Sequence, residues 1–478
     1  MAIERILQLK DLDWMRGISL QASSPLGGIF SQASNFDPFE VLGIAQPSLA
    51  GLAATGDVLN PISFLTPIST GGTSYLYGHA TSKLFQITSG NVVTDITTAS
   101  GVITTSAPKG AIFWRGKYIY AITDKIYANT IGTTTNTLLL SGLTTTVPHI
   151  FTTGPNGNLY FTNGASIGKI TSDTGTSGNS ATAFTDLDSG TIYKDILNDG
   201  RYICVVGDTN TGTGPGKFRC IVGFWDTIKG NYEQLYDQNY IDDSYLIACE
   251  IINGAIYVIG KEGLYVCSVA TAPQLVADFT GNSNIGPATL PNAPAMVTKR
   301  KGTLLWGYSG SGSVYGYGTS ISGGTKIFFQ PYTAALGNIT ALAYIGSVLF
   351  IATDNPSVYR MSGTTRNNST IKISNLTFET PYKFEYAKAV LRDEIASGQS
   401  IALQIHSKNG SKVVSDLDTF NFTTSPGKQT IIFPRKPTGT SDVDSFEELS
   451  SITLTLGAIP LERFEIWATP QDPQSNQL

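Results

Sequence analysis

The chain has 478 residues, 41% hydrophobic and only 14% charged, where an ordinary soluble protein carries roughly a quarter charged. That excludes a disordered chain, which at this length needs low hydrophobicity and high net charge. A formal charge of -5, from 31 basic and 36 acidic residues, leaves no basic field for a nucleic-acid backbone, so sequence-specific nucleic-acid binding is not expected.

Residues 1–58 read as an N-terminal extended arm. The opening MAIERILQLKDLDWMRG scatters its charges and lacks an apolar signal core, which predicts a protein made without a signal peptide. No run of about eighteen apolar residues follows anywhere, so membrane insertion is not expected. Leu7, Trp14, Ile29, Phe30, Phe36 and Phe39 recur without a period and cannot form a core of their own. They are expected to lie on the next domain or on another chain.

From residue 59 to 370 one pattern repeats at intervals of about 40 to 55 residues, the period of a propeller blade. Its apolar cores are Tyr75–Tyr77, Tyr118–Ala121, Leu159–Phe161, Tyr202–Val206, Ile256–Ile259, Leu304–Tyr308 and Leu349–Ala352. A Gly or Asn turn precedes most of them, as in Arg115-Gly116, Asn156-Gly157, Asn253-Gly254 and Ile345-Gly346. Strand, tight turn, strand, turn, strand is a β-meander. Repeated seven times, it closes radially into a seven-bladed β-propeller, with six to eight as the range. Tyr120, Tyr160, Val205, Val258, Trp306 and Ile351 are expected in equivalent strands. The last unit shows three strand-like runs, and its fourth strand is expected from the segment near Ile62–Leu65.

After residue 370 charged residues become nearly twice as dense and the strands longer and alternating, as in Ser400–His406 and Ser451–Leu456. About seven such strands over residues 371–470 predict a β-sandwich or jelly roll. Residues 471–478 form a polar tail.

Few residues invite chemistry. Cys204, Cys220, Cys249 and Cys267 have no CxxC spacing and no neighbouring histidine among His79, His149 and His406, so buried free thiols are expected rather than a zinc site. The carboxylate pairs Asp186/Asp188, Asp242/Asp243 and Glu447/Glu448 would suit acid–base work, but solvated turns account for them. Thr171–Ser177 approaches the turn motif of sialidases without its aromatic residue, and no arginine cluster accompanies it. Gly212–Lys217 imitates a phosphate loop, yet Phe218 stands where the hydroxyl residue belongs and no helix follows. The nucleophile-elbow pattern is missing as well. No catalytic, metal or cofactor-binding residue is expected. Trp114, Trp225 and Trp306 are expected in the core, and the tyrosines of Gly307–Tyr317 either form a contact surface for glycan or protein or belong to one blade with a small-residue turn.

The run Gly27–Pro38, containing Ala33, Asn35, Phe36 and Asp37 and followed by Gly43 and Pro47, resembles the opening of β-propeller virion proteins of tailed bacteriophages. In such nozzle, stabilisation and tail proteins a Gly-rich start leads to A-x-N-hydrophobic-D and then a Pro/Gly turn. The Arg/Lys-rich turn that often follows the motif is missing. The resemblance implies a structural virion component with no active site, located in the tail and partnered by itself, as a ring-forming homo-oligomer, and by other virion proteins. It makes Leu7, Trp14, Ile29, Phe30, Asn35, Phe36, Asp37 and Phe39 an assembly arm. A secreted or surface lectin or adhesin that contacts glycans is the alternative, and a glycan-active enzyme the third.

Overall fold

A computed structural model describes residues 3–9, 32–34, 36–37, 44–45, 47–51, 60–90, 92–184, 190–210, 218–227, 234–279, 293–300, 302–307, 312–319, 326–332, 337–355, 357–366, 369–391, 394, 400–409, 412–421, 430–434, 446–456 and 461–470. Contacts divide the chain into two compact units. One comprises Leu49–Val314 with Ala334–Met361, and the other Met1–Ser48 with Tyr315–Thr333 and Ser362–Leu478.

The arm contributes five short strands: β1 (Glu4–Leu9), β2 (Gln32–Ser34), β3 (Phe36–Asp37), β4 (Ile44–Ala45) and β5 (Pro47–Gly51). Five four-stranded antiparallel sheets follow in chain order. The first holds β6 (Phe64–Thr70), β7 (Thr73–His79), β8 (Leu84–Thr88) and β9 (Val93–Asp95). The second holds β10 (Pro108–Trp114), β11 (Lys117–Ile122), β12 (Lys125–Thr130) and β13 (Asn136–Ser141). The third holds β14 (Phe151–Thr153), β15 (Leu159–Asn163), β16 (Ser166–Ile170) and β17 (Ser180–Phe184). The fourth holds β18 (Thr191–Asn198), β19 (Tyr202–Asn210), β20 (Phe218–Asp226) and β21 (Gln234–Ile241). The fifth holds β22 (Leu246–Ile252), β23 (Ala255–Gly260), β24 (Gly263–Ser268) and β25 (Thr271–Asp278). A sixth opens with β26 (Val297–Arg300) and β27 (Thr303–Gly307), followed along the chain by β28 (Val314–Thr319) and β29 (Lys326–Tyr332). The seventh orders β30 (Ile339–Ile345), β31 (Val348–Thr353), β32 (Ser357–Arg366) and then β5.

These sheets are the blades of a seven-bladed propeller. The first strands touch in sequence, β6 on β10, β10 on β14, β14 on β18, β18 on β22, β22 on β26 and β26 on β30, and β30 returns to β6. Apolar side chains fill the seams. Tyr77 of the first blade meets Tyr118 of the second edge-on at 5.2 Å. Leu76 and Phe85 of the first pack with Ala343 and Phe350 of the seventh. All seven apolar cores read from the sequence are the second strands of their blades, and Tyr120, Tyr160, Val205, Val258, Trp306 and Ile351 are buried there. Local turn chemistry explains the regularity. Arg115 and Gly116 have φ of 48° and 74°, and Asn253 and Gly254 have 51° and 79°. Each pair spans a two-residue hairpin whose central residues need positive φ.

The closing strand is not the one expected. Phe64–Thr70 is the first strand of blade one, because Gly71 and Gly72, at φ 57° and 78°, fold it directly onto Thr73–His79. A short hairpin loop costs far less entropy than closing a ring, so that segment is committed locally. The fourth strand of blade seven comes from further upstream, as β5.

In the other unit, β33 (Ser369–Leu391) runs 23 residues and serves two halves of a sandwich. Its first part pairs with β37 (Phe446–Leu456), which pairs with β34 (Ser400–Asn409) and through it β35 (Lys412–Asn421). Its second part lies between β36 (Thr430–Pro434) and β38 (Leu461–Pro470). Among the described residues six strands lie after residue 368, and one long strand that shifts register between Thr377 and Tyr382 joins both halves. Alternation buries Ile371 and Ile373 in one half, and Ala387, Ala389 and Leu391 in the other.

The arm adds strands to this sandwich. β1 pairs with β38, placing Leu7 opposite Ile466, and Arg5 reaches Glu465 at 3.3 Å. β2 pairs antiparallel with β33, with Gln32 opposite Lys372. Phe36 and Asp37 form a two-residue ladder with Ala45 and Ile44. Trp14, Ile29, Phe30, Asn35 and Phe39 lie outside the described residues.

Gly110 tests the close approach of blades two and three. A Cβ there would sit 1.7 Å from the His149 carbonyl oxygen, a backbone atom that cannot yield without moving its strand. Gly110→Ala is expected to cost about 2–4 kcal/mol in urea unfolding; a loss below about 0.5 kcal/mol would contradict this packing.

Candidate functional site

A cavity of about 510 Å³ lies within the ring of first strands. Its wall takes Phe64–Pro67 from β6, Ala111–Phe113 from β10, Ile150 and Phe151 at β14, Glu250 from β22, Val297–Lys299 from β26 and Leu342–Tyr344 from β30. Most of this lining is apolar. One ion pair interrupts it: Lys299 Nζ donates to Glu250 Oε1 at 2.7 Å, and the same oxygen accepts the Ile251 N–H at 2.8 Å. The Lys299 side chain is 51% exposed and that of Glu250 25%. Arg300, the next residue, places its guanidinium 5.8 Å from the ring centre of Tyr344.

A buried acidic seam joins the Glu250 strand to blade four. First strands are sheet edges facing the axis, so N–H groups on their free side need side-chain partners. Asp195 of β18 supplies one, its Oδ2 accepting the Cys249 N–H at 2.8 Å, while its Oδ1 takes the N–H of Ile196. Asp208 of β19 supplies another, accepting the Leu246 N–H at 3.4 Å and pairing with Lys194 at 3.4 Å. Lys194 also donates to the Tyr245 hydroxyl at 3.3 Å.

Asp243 corrects the expectation of a solvated turn at Asp242/Asp243. It is 8% exposed, and its carboxylate gathers the N–H groups of Tyr245, Lys261 and Glu262 and the Tyr265 hydroxyl. A loop with that many inward N–H donors needs a buried acceptor, and sequence spacing does not show where those donors converge. Glu447 and Glu448 fall in the strand β37, not in a turn. Asp186 and Asp188, and the loop 211–217, lie outside the described residues.

All four cysteines are buried and free, in β19, β20, β22 and β24. Burial pushes the Cys220, Cys249 and Cys267 thiols up, which keeps them protonated. Cys220 donates to the Asp243 carbonyl at 3.1 Å. Among the described residues no group of three His, Cys, Asp or Glu side chains is placed to hold a metal. His79 is wholly buried beside the Tyr118 hydroxyl at 3.0 Å, and burial lowers its pKa to about 3, so it stays neutral. Trp114, Trp225 and Trp306 are core residues, as are Tyr315 and Tyr317, which removes those two tyrosines from any contact surface. The Thr171–Ser177 turn is organised by Asn179, which accepts the N–H groups of Thr171 and Ser172 and donates to the carbonyls of Ser172 and Gly175.

No protein-family model matches this sequence, and no curated protein does. Some solved structures are similar at low TM-scores. A catalytically inactive variant of virginiamycin B lyase from Staphylococcus aureus, crystallised with quinupristin, is similar with a TM-score of 0.46 and 13% identity, over 66% of this chain and 98% of that one. BamB from Moraxella catarrhalis is similar with a TM-score of 0.38 and 9% identity, over 66% and 99%. Likeness at this distance concerns architecture alone.

Burial raises the Asp195 carboxyl most; the Cys249 and Ile196 N–H groups oppose this and the charge of Glu250 adds to it, leaving a pKa of about 7. Between about pH 4 and pH 7 the folded protein therefore keeps a proton that the unfolded chain has released. Stability is expected to fall as pH rises through that window and to level off above it. Urea titrations at pH 5 and pH 8 should show this decline shrinking in Asp195→Asn; an unchanged decline would remove Asp195 as its source.

Proposed function

We propose that the chain is a structural component that acts by protein–protein assembly through the edges of its sheets. The carrying observation is where its exposed apolar side chains sit. Among the described residues, the large exposed apolar side chains are Ile3, Val92, Leu138, Tyr236, Tyr240, Leu275 and Ile432. Each lies on or beside an edge strand: β1, β9, β13, β21, β25 or β36. Edge strands are ordinarily protected from pairing by charges, lysine above all. The outer strands of the first five blades, VTD, NTLLLS, SATAF, QLYDQNYI and TAPQLVAD, contain no Lys or Arg. A rim that exposes apolar side chains and is guarded by Asp95, Asp237 and Asp278 but by no basic residue suits a part covered by neighbours.

Joined to the N-terminal resemblance, this supports a component of a bacteriophage virion, in the tail or at the head-to-tail region, that assembles with copies of itself and with other virion proteins and catalyses no reaction. The arm residues Trp14, Ile29, Phe30 and Phe39 are part of the same proposal.

One observation favours the glycan-binding alternative. Gln238 and Tyr240 share one face of β21, where the Gln238 amide donates to the Tyr240 hydroxyl at 2.9 Å, while a register shift turns Tyr236 to the other face against Tyr202. An exposed ring beside an amide suits a sugar face.

The test changes the rim without touching the core. Leu138→Lys combined with Tyr236→Lys and Tyr240→Lys is expected to lower the mass seen by light scattering to that of one chain, with the circular dichroism spectrum kept. A wild-type protein that is monomeric alone and absent from purified particles would overturn the assembly reading. Binding on a glycan array lost in Tyr240→Ala would favour the alternative.

A further inference from the structure

We propose that the axial cavity binds a small amphipathic anion, an aliphatic or aromatic body carrying one carboxylate or sulfonate, with Lys299 meeting the charged end. This goes beyond the assembly reading, which depends on the rim and not on the axis.

Size, lining and charge each bear on the choice. A volume of about 510 Å³ is in the range that holds a small organic ligand, roughly 300–1,000 Å³. Phe64, Phe113, Ile150, Val297 and Leu342 offer apolar surface that rewards an apolar body. Lys299 and Glu250 are the only charged side chains among the described residues of the wall.

Their arrangement distinguishes an anion from a cation. Glu250 is three-quarters buried, and the oxygen that meets Lys299 already accepts two donors. A cationic ligand would have to displace Lys299 from it and leave two positive charges side by side. Lys299 is half exposed and gives Glu250 one of its three N–H donors. An anion can add to the remaining donors while the ion pair stays intact. Glu250 opposes the anion, so removing the Lys299 charge alone turns the local field against the ligand.

The experiment uses two fluorescent probes with one ring system: 8-anilinonaphthalene-1-sulfonate, and N-phenyl-1-naphthylamine, which lacks the sulfonate. Full-length protein is expected to bind one sulfonate probe per chain, displaced by decanoate. Lys299→Gln should weaken the sulfonate probe about tenfold and change the neutral probe by less than about twofold. Lys299→Arg should restore most of the loss. Ala111→Phe, which fills the cavity, should weaken both probes. Circular dichroism and thermal unfolding confirm that each variant is folded, which matters because the sulfonate probe also lights up on loosely packed chains. No binding by the wild type, an equal loss of both probes in Lys299→Gln, or several bound probes per chain unaffected by Ala111→Phe would each overturn the proposal. The last result would place the probes on the rim.

Discussion

Ring closure is the constraint that the propeller depends on. Each first strand rests on the next, and the contact of β30 on β6 makes seven seams of what would otherwise be six seams and two open faces. The seventh seam buries Leu76, Phe85, Ala343 and Phe350 together, residues separated by more than 250 positions in the chain. Burial at roughly 1.5–3 kcal/mol for each large apolar side chain repays that long loop, because closure entropy grows only with the logarithm of loop length. The strand β5 reinforces the join by completing the last blade with residues from before the first.

A closed ring of blades leaves two kinds of sheet edge, and this chain treats them differently. Inner edges face the axis and receive side-chain acceptors from the neighbouring blade. Asp195 and Asp208 take the N–H groups of Cys249 and Leu246 in this way, which explains why acidic residues are buried in a chain with so few charges. Among the described residues, the outer edges of blades two, four and five carry Leu138, Tyr236, Tyr240 and Leu275 in the open, while that of blade six is paired by β2. The polar devices are concentrated where the fold needs them, and the apolar exposure where a neighbour can use it.

The axis and the seam between blades four and five are electrically connected. Glu250 lines the cavity and belongs to the strand whose preceding N–H is held by Asp195, and its charge disfavours ionisation of the Asp195 carboxyl. Lys299 pairs with Glu250 on the cavity side, and Lys194 with Asp208 on the seam side. A charge placed at the axis therefore acts on groups that also hold blades together.

Periodicity alone determined the blade. Alternating apolar cores preceded by Gly and Asn turns, as at Asn253-Gly254, are local signals, because hairpin geometry depends on the φ of two adjacent residues. They located all seven second strands, and the shift to longer alternating strands located the sandwich. What followed from long-range pairing was not legible. Pro47–Gly51 belongs to the aperiodic arm in the sequence and becomes a strand only because blade seven lacks one; Ile62–Leu65 looked available but was already held by the Gly71-Gly72 hairpin. Asp243 looked like a solvated turn because its donors, Tyr245, Lys261 and Glu262, come from two loops that meet only in three dimensions. The Glu250–Lys299 pair is 49 residues apart in sequence. Tertiary structure alone put it on the axis, since only a closed ring brings the first strands of separate blades around one cavity.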